Sequence, residues 1–169
     1  LVSGVPSFSL GANCDVLSGV NKAEGMLLML RAMSPEVIIT DELGGEDDFN
    51  AICEIKKRGV SVIASLHSFG DAPDGFDVYA GDDSITYDLM KIGGVGVIST
   101  ISNVATTRMK EIVDACALSN WDKARELNEK LLPLMNGLFK TTNPILVKEA
   151  LRLAGFNVGG VRLPLINAT

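Results

Sequence analysis

The chain has 169 residues, 47% of them hydrophobic and 21% charged, with a formal net charge of −6 at pH 7. That length and balance are enough for a buried core and exclude a disordered segment. The acidic excess argues against nucleic acid as a partner, because phosphate backbones are held by clustered Lys and Arg. Three scattered cysteines, Cys14, Cys53 and Cys116, lack metal-ligand spacing and do not form a disulfide framework. Cys53 and Cys116 fall on apolar helix faces and read as small buried hydrophobes. No apolar run approaches the roughly 18 residues of a membrane span, and no segment has a signal-peptide layout. The expectation is a cytoplasmic protein with no membrane span.

Residues 1–20, rich in Gly, Ser and Val, read as a short strand or irregular lead-in. A helix is predicted over Ala23 to Met33, where Met26, Leu27, Leu30 and Met33 recur at helical spacing, and Ser34-Pro35 ends it. Val37-Ile38-Ile39-Thr40 is β-branched without alternation, which predicts a strand covered on both faces and ending at Asp41-Glu42. Glu46 to Arg58 opens on acids, closes on Lys56-Lys57-Arg58 and is followed by Gly59, the signals of a helix in order. Val60 to Leu66 reads as a second buried strand ending at His67.

The turn cluster Asp71-Ala72-Pro73-Asp74-Gly75 is the candidate boundary. A third strand, Asp77 to Ala80, ends in Gly81-Asp82-Asp83, where the two acids suit a tight turn and a helix cap. A short helix near Ser84 to Ile92 follows, then a fourth strand from Val95 to Ile101. Helices are expected over Thr106–Leu118, Trp121–Phe139 and Pro144–Ala154. Pro133 should kink or divide the middle one, and Asn143-Pro144 should supply a cap followed by proline at the first helical position. The fold class is therefore α/β: about four parallel strands alternating with helices, then a segment of about three helices. The expected organisation is 1–72, 73–102 and 103–169.

In parallel α/β sheets, ligands gather at the carboxyl ends of strands, which here are Asp41-Glu42, His67-Ser68, Gly81-Asp82-Asp83 and Ser99-Thr100. An apolar strand ending in Asp-Glu has the form of a Walker B segment, and equally of acids capping the next helix. The stretches GVPSFSLGANCDVL, NKAEGMLLMLRAMSPEVIITDELG and GVSVIASLHSFG, over about residues 4–70, resemble stage III sporulation protein AA, a family of RecA-like secretion-type ATPases. The resemblance implies Asp41 and Glu42 as the Walker B pair, with Asp41 holding Mg²⁺ when a nucleotide binds. It also implies that His67 faces the nucleotide. The chain departs from that family by lacking any G-x-x-x-x-G-K-[ST] loop, the cradle and lysine for the phosphates. Lys22 has no glycine loop before it and does not replace them.

From about residue 76 to 166 the chain resembles a second family. FDVYAGDDSITYDLMKIGGVGVISTISNVATTRMKEIV, KARELNEKLLPLM and TTNPILVKEALRLAG…VRLPL are similar to the carboxyl part of dihydrodipicolinate synthase. That family is a (β/α)₈ barrel lyase joining pyruvate to an aspartate-derived semialdehyde. The resemblance implies that Asp77–Asp83 and Val95–Ile101 are its seventh and eighth strands. Gly81 and Ile98 would then line the pyruvate pocket through backbone atoms. Schiff-base chemistry also needs a lysine inside the barrel, which in this family projects from the sixth strand, with a tyrosine on the fifth. VIITDE and SVIASLHS carry no lysine, and Lys91 and Lys148 lie in predicted helices.

Three readings follow. The favoured one is a fused α/β chimera of two enzyme fragments, inactive on its own and needing no cofactor. The second is a Schiff-base lyase of the dihydrodipicolinate synthase family. The third is a nucleotide-binding fragment that takes Mg-ATP only with a partner chain supplying the phosphate loop. Two bare sheet edges, or the carboxyl helices, point to a homo-oligomer.

Overall fold

A computed structural model describes residues 9–66 and 75–168. The chain divides into two compact units, Leu1–Phe76 and Asp77–Thr169. Both are α/β.

In the first unit, α1 (Lys22–Ala32) starts where the Asn21 side chain accepts from the Ala23 and Glu24 N–H groups, at 3.0 and 3.4 Å. That bond pattern satisfies two donors the first helical turn cannot pair internally. The strand β1 (Val37–Ile39) follows, then α2 (Glu46–Lys57) and β2 (Ser61–Ile63). The two strands pair in parallel with Val37 opposite Ser61 and Ile39 opposite Ile63. Met26, Ile38, Leu43, Ile52 and Ile55 form the core between helices and sheet. The basic end of α2 is structural: Lys56 Nζ donates to the Gly75 carbonyl at 2.8 Å and lies 4.6 Å from the Phe76 ring centre.

The lack of alternation in Val37-Ile38-Ile39 led to an expectation of cover on both faces, and the structure corrects it. Ile38 is 2% exposed, whereas its neighbour Ile39 is 75% exposed. Side chains alternate across a strand, and both helices cover the Ile38 face. Cys53 is a second correction: it is exposed, because Ile52 and Ile55 occupy the buried face of α2.

The second unit opens with β3 (Tyr79–Ala80), a 3-10 turn at Asp83–Ile85, α3 (Thr86–Lys91) and β4 (Gly96–Val97). The strands are parallel, with Tyr79 opposite Gly96 and Ala80 opposite Val97. A Cβ at Gly96 would sit 3.1 Å from the Tyr79 ring, so a side chain there would push the ring aside by a few tenths of an ångström. Three helices follow: α4 (Ser102–Ala117), α5 (Trp121–Leu138) and α6 (Ile145–Leu153). Ile101, Met109, Ile112, Ala124, Leu131 and Met135 make a continuous core among them. The Trp121 ring meets Tyr87 edge-on, with centroids 6.4 Å apart and planes at 77°.

Three helix expectations are corrected here. α4 begins four residues before Thr106, with a break at Ala105 (φ −139°, ψ 43°). α5 runs through Pro133 undivided. Pro144 occupies the cap position of α6, not its first turn, and so caps it with no side-chain hydrogen bond. The four strands form two separate two-stranded sheets.

Candidate functional site

The Asp41-Glu42 corner sits just beyond β1. The Glu42 N–H donates to Ser65 Oγ at 2.9 Å, and the Leu43 N–H to the Ser65 carbonyl at 2.8 Å. Lys22 Nζ donates to the Glu42 carbonyl at 2.5 Å and lies 3.9 Å from Asp41 Oδ1. Glu42 takes a left-handed backbone (φ 37°), uncommon for a residue with a Cβ. These bonds account for the corner as a pinned turn. The Asp41 side chain is 91% exposed, and among the described residues no group of three His, Cys, Asp or Glu side chains gathers as a metal would require. His67 lies outside the described residues.

The second unit holds a different arrangement at its strand ends. The β3–β4 ladder closes with the Ile98 N–H donating to the Ala80 carbonyl at 2.8 Å. Gly81 follows directly on β3 and Ile98 directly on β4, so the two candidate pocket residues flank this last rung. A Cβ at Gly81 would meet nothing within 4 Å, and Ile98 is 72% exposed. The face they share is open.

Beyond Gly81 the two acids separate in role. Asp82 accepts from the Ser84 N–H and Oγ, both at 2.8 Å, and caps the 3-10 turn. Asp83 is 1% exposed, and its Oδ2 accepts from the Thr100 N–H at 3.0 Å and the Ile101 N–H at 2.9 Å. Ile101 is the cap position of α4, so the carboxylate also faces the positive end of that helix. Asp83 Oδ1 and the buried Thr86 Oγ1 have no hydrogen-bond partner among the described residues. A cap at Asp82-Asp83 is expected from the residues alone. The reach of Asp83 to the end of the other strand is not.

The lysines lie elsewhere. None belongs to β1–β4; Lys91 is on α3, 5.8 Å from the Tyr87 ring centre, and Lys148 on α6 donates to the Gly160 carbonyl at 2.5 Å. A hollow of about 410 Å³ lies between α4 and α5, between Asp114 and Leu118 on one side and Lys123 and Leu127 on the other. It is lined by none of the strand-end residues.

Comparison with known proteins bears on both units. Residues 47–169 match the model of the dihydrodipicolinate synthetase family, and residues 2–73 match that of sporulation stage III, protein AA. A 4-hydroxy-tetrahydrodipicolinate synthase of Symbiobacterium thermophilum is 48% identical over 115 residues, 66% of this chain and 39% of its own. That of Halalkalibacterium halodurans, synthase 1, is 40% identical over 152 residues, 90% of this chain and 46% of its own. The crystal structure of the dihydrodipicolinate synthase from Thermotoga maritima is 34% identical, with a TM-score of 0.55 over 88% of this chain and 46% of its own. The chain thus spans less than half the length of these relatives. No helix among the described residues is long and apolar enough to cross a membrane. With more than half of its residues matched by one family model, the chain belongs to the dihydrodipicolinate synthetase family.

Proposed function

We propose that the chain serves a Schiff-base lyase of the dihydrodipicolinate synthase type, and that it supplies the wall of the keto-acid pocket without the imine-forming amine. One observation carries this reading: Gly81 and Ile98 flank the last rung of the β3–β4 ladder on an open face, with a buried carboxylate fastening the segments that follow them. The Ile98 N–H is engaged in the rung itself, so the Ile98 carbonyl and the Gly81 backbone are the groups left to line a keto-acid pocket, and lining through backbone atoms is how the resemblance casts these two residues. The reaction class is aldol addition to pyruvate through a lysine imine, and it calls for no further cofactor. A lysine must come from outside the strands described here, because none of β1–β4 carries one.

The three-segment layout belongs to the same reading. Residues 1–72 are the segment similar to sporulation stage III, protein AA, 73–102 the barrel-derived strands and helix, and 103–169 the helical tail. A nucleotide role for Asp41 and Glu42 has less support, since Lys22 and Ser65 already account for that corner. A homo-oligomer in the cytoplasm fits the reading: bare apolar positions such as Ile39 and Ile63, 75% and 59% exposed, favour association.

The test is a pyruvate titration of the isotopically labelled chain, followed by backbone amide NMR. The Gly81 and Ile98 amides should shift in a saturable way, while those of α5 stay in place. Shifts confined to other residues, or no response at tens of millimolar pyruvate (roughly the weak end of ligand affinities), would defeat the reading.

A further inference from the structure

The geometry points to Asp83 as a positioning residue that sets the spacing between Gly81 and Ile98; the inference rests on the keto-acid reading of those two positions. β3 and β4 are two residues long each, far below the roughly five or six residues of an ordinary strand. So short a pair does not fix its own register. Its last rung, Ile98 N–H to the Ala80 carbonyl at 2.8 Å, leaves Gly81 beyond the final bond on its own strand.

Asp83 lies two residues past Gly81, and Thr100 lies two residues past Ile98. Its Oδ2 bridges the two N–H groups of Thr100 and Ile101. The carboxylate thereby acts as an added rung, holding together the two segments that leave the strands. It does this from a site 1% exposed, where a charge is costly unless its hydrogen bonds are met. Only one of its oxygens is so met, for Oδ1 has no partner among the described residues. The two charge-assisted bonds to Oδ2 thereby place the Ile98 amide relative to Gly81.

Amide hydrogen exchange and pyruvate titration by NMR test this on the 169-residue chain and its Asp83→Ala and Asp83→Asn variants. Loss of hydrogen bonds to a charged acceptor should speed exchange at Thr100 and Ile101 by about tenfold or more in the alanine variant. Exchange at Ile112 and Ala124, in the helical core, should change little. The pyruvate response of Gly81 and Ile98 should vanish in the alanine variant and return in part in the asparagine variant, which keeps an acceptor. If the alanine variant unfolds, the asparagine variant carries the test: an intact core with Thr100 and Ile101 exchange between wild type and free amide supports the inference. Equal loss of protection at the core and at Thr100 and Ile101 in both variants overturns it, as does a pyruvate response that survives Asp83→Ala. Failure of the underlying reading looks different: pyruvate moves neither amide in the wild type, while Asp83→Ala still frees Thr100 and Ile101.

Discussion

Replacing Ile98 and Ile101 separately by alanine measures how open the strand-end face is. The two residues are three positions apart at the end of β4, yet Ile101 is 0% exposed and Ile98 is 72% exposed. A fully buried isoleucine cut to alanine costs about 2–5 kcal/mol, the transfer term plus the cavity left behind. Ile98 keeps only about a quarter of its surface covered, and a quarter of the roughly 2 kcal/mol for complete burial is about 0.5 kcal/mol. A unit of this size is stabilised by about 5–14 kcal/mol in all, so the two outcomes are easily resolved. Urea titrations followed by the fluorescence of Trp121, the single tryptophan, report this unit directly. Ile101→Ala should move the midpoint strongly and Ile98→Ala barely. Equal shifts would show that Ile98 is covered, and the open wall would have to be abandoned.

Two further outcomes follow from the surface and the core. Cys14 and Cys53 are exposed, whereas Cys116 is buried and its burial pushes the thiol pKa up, so it is both shielded and poor in thiolate; a thiol reagent should therefore modify two groups rapidly in the native protein and the third only on denaturation, and three rapid equivalents would contradict the helical core. The Glu126 carboxyl is held below its ordinary range first by the hydrogen bond from Lys130 and then by the charge of Lys123, and that of Glu149 by the hydrogen bond from Arg152. A lowered carboxyl pKa contributes stability above the unfolded value and loses it as pH falls through the folded one. The stability gap between wild type and the Glu126→Gln/Glu149→Gln double variant should thus be small near neutral pH, shrink in high salt and close in acid; a gap that persists in acid would refute the assignment.

Helices were the legible part of the fold because their signals are local. Acids at Glu46–Asp48, bases at Lys56–Lys57 and a left-handed Gly59 locate α2 without knowledge of anything else. The periodicity that predicts a helix from Thr106 captures only the stretch after the break at Ala105, which is why α4 starts earlier than expected. Strands fared differently, since a strand exists only as far as its partner does. Val95 to Ile101 reads as one strand, but only Gly96 and Val97 face partners on β3. Whether Ile39 is covered depends on what lies over the sheet, and its own β-branched neighbours carry no record of that. Cys53 illustrates the same point on a helix: adjacent to buried Ile52, it turns about 100° away from it and emerges at the surface.

The candidate residues were named from sequence, whereas the bonds that hold their segments were not legible there. Gly81 and Ile98 came from the resemblance, and the structure sets them at one rung. Asp83 read as a cap within its own turn, and its partners Thr100 and Ile101 are 17 and 18 residues away. Contacts of that range are fixed by the pairing of β3 with β4, which composition does not encode. At the Asp41-Glu42 corner the motif itself carries no sign of the Glu42 backbone bonds to Lys22 and Ser65, 20 and 23 residues away in sequence.

The proposed function is a pocket wall that lacks its nucleophile. Incubating the purified 169-residue chain with pyruvate and a borohydride reductant, then weighing the intact protein, probes that directly. An unchanged mass is the predicted result; a reduced pyruvyl adduct mapped to any lysine of this chain would show that the amine was present after all.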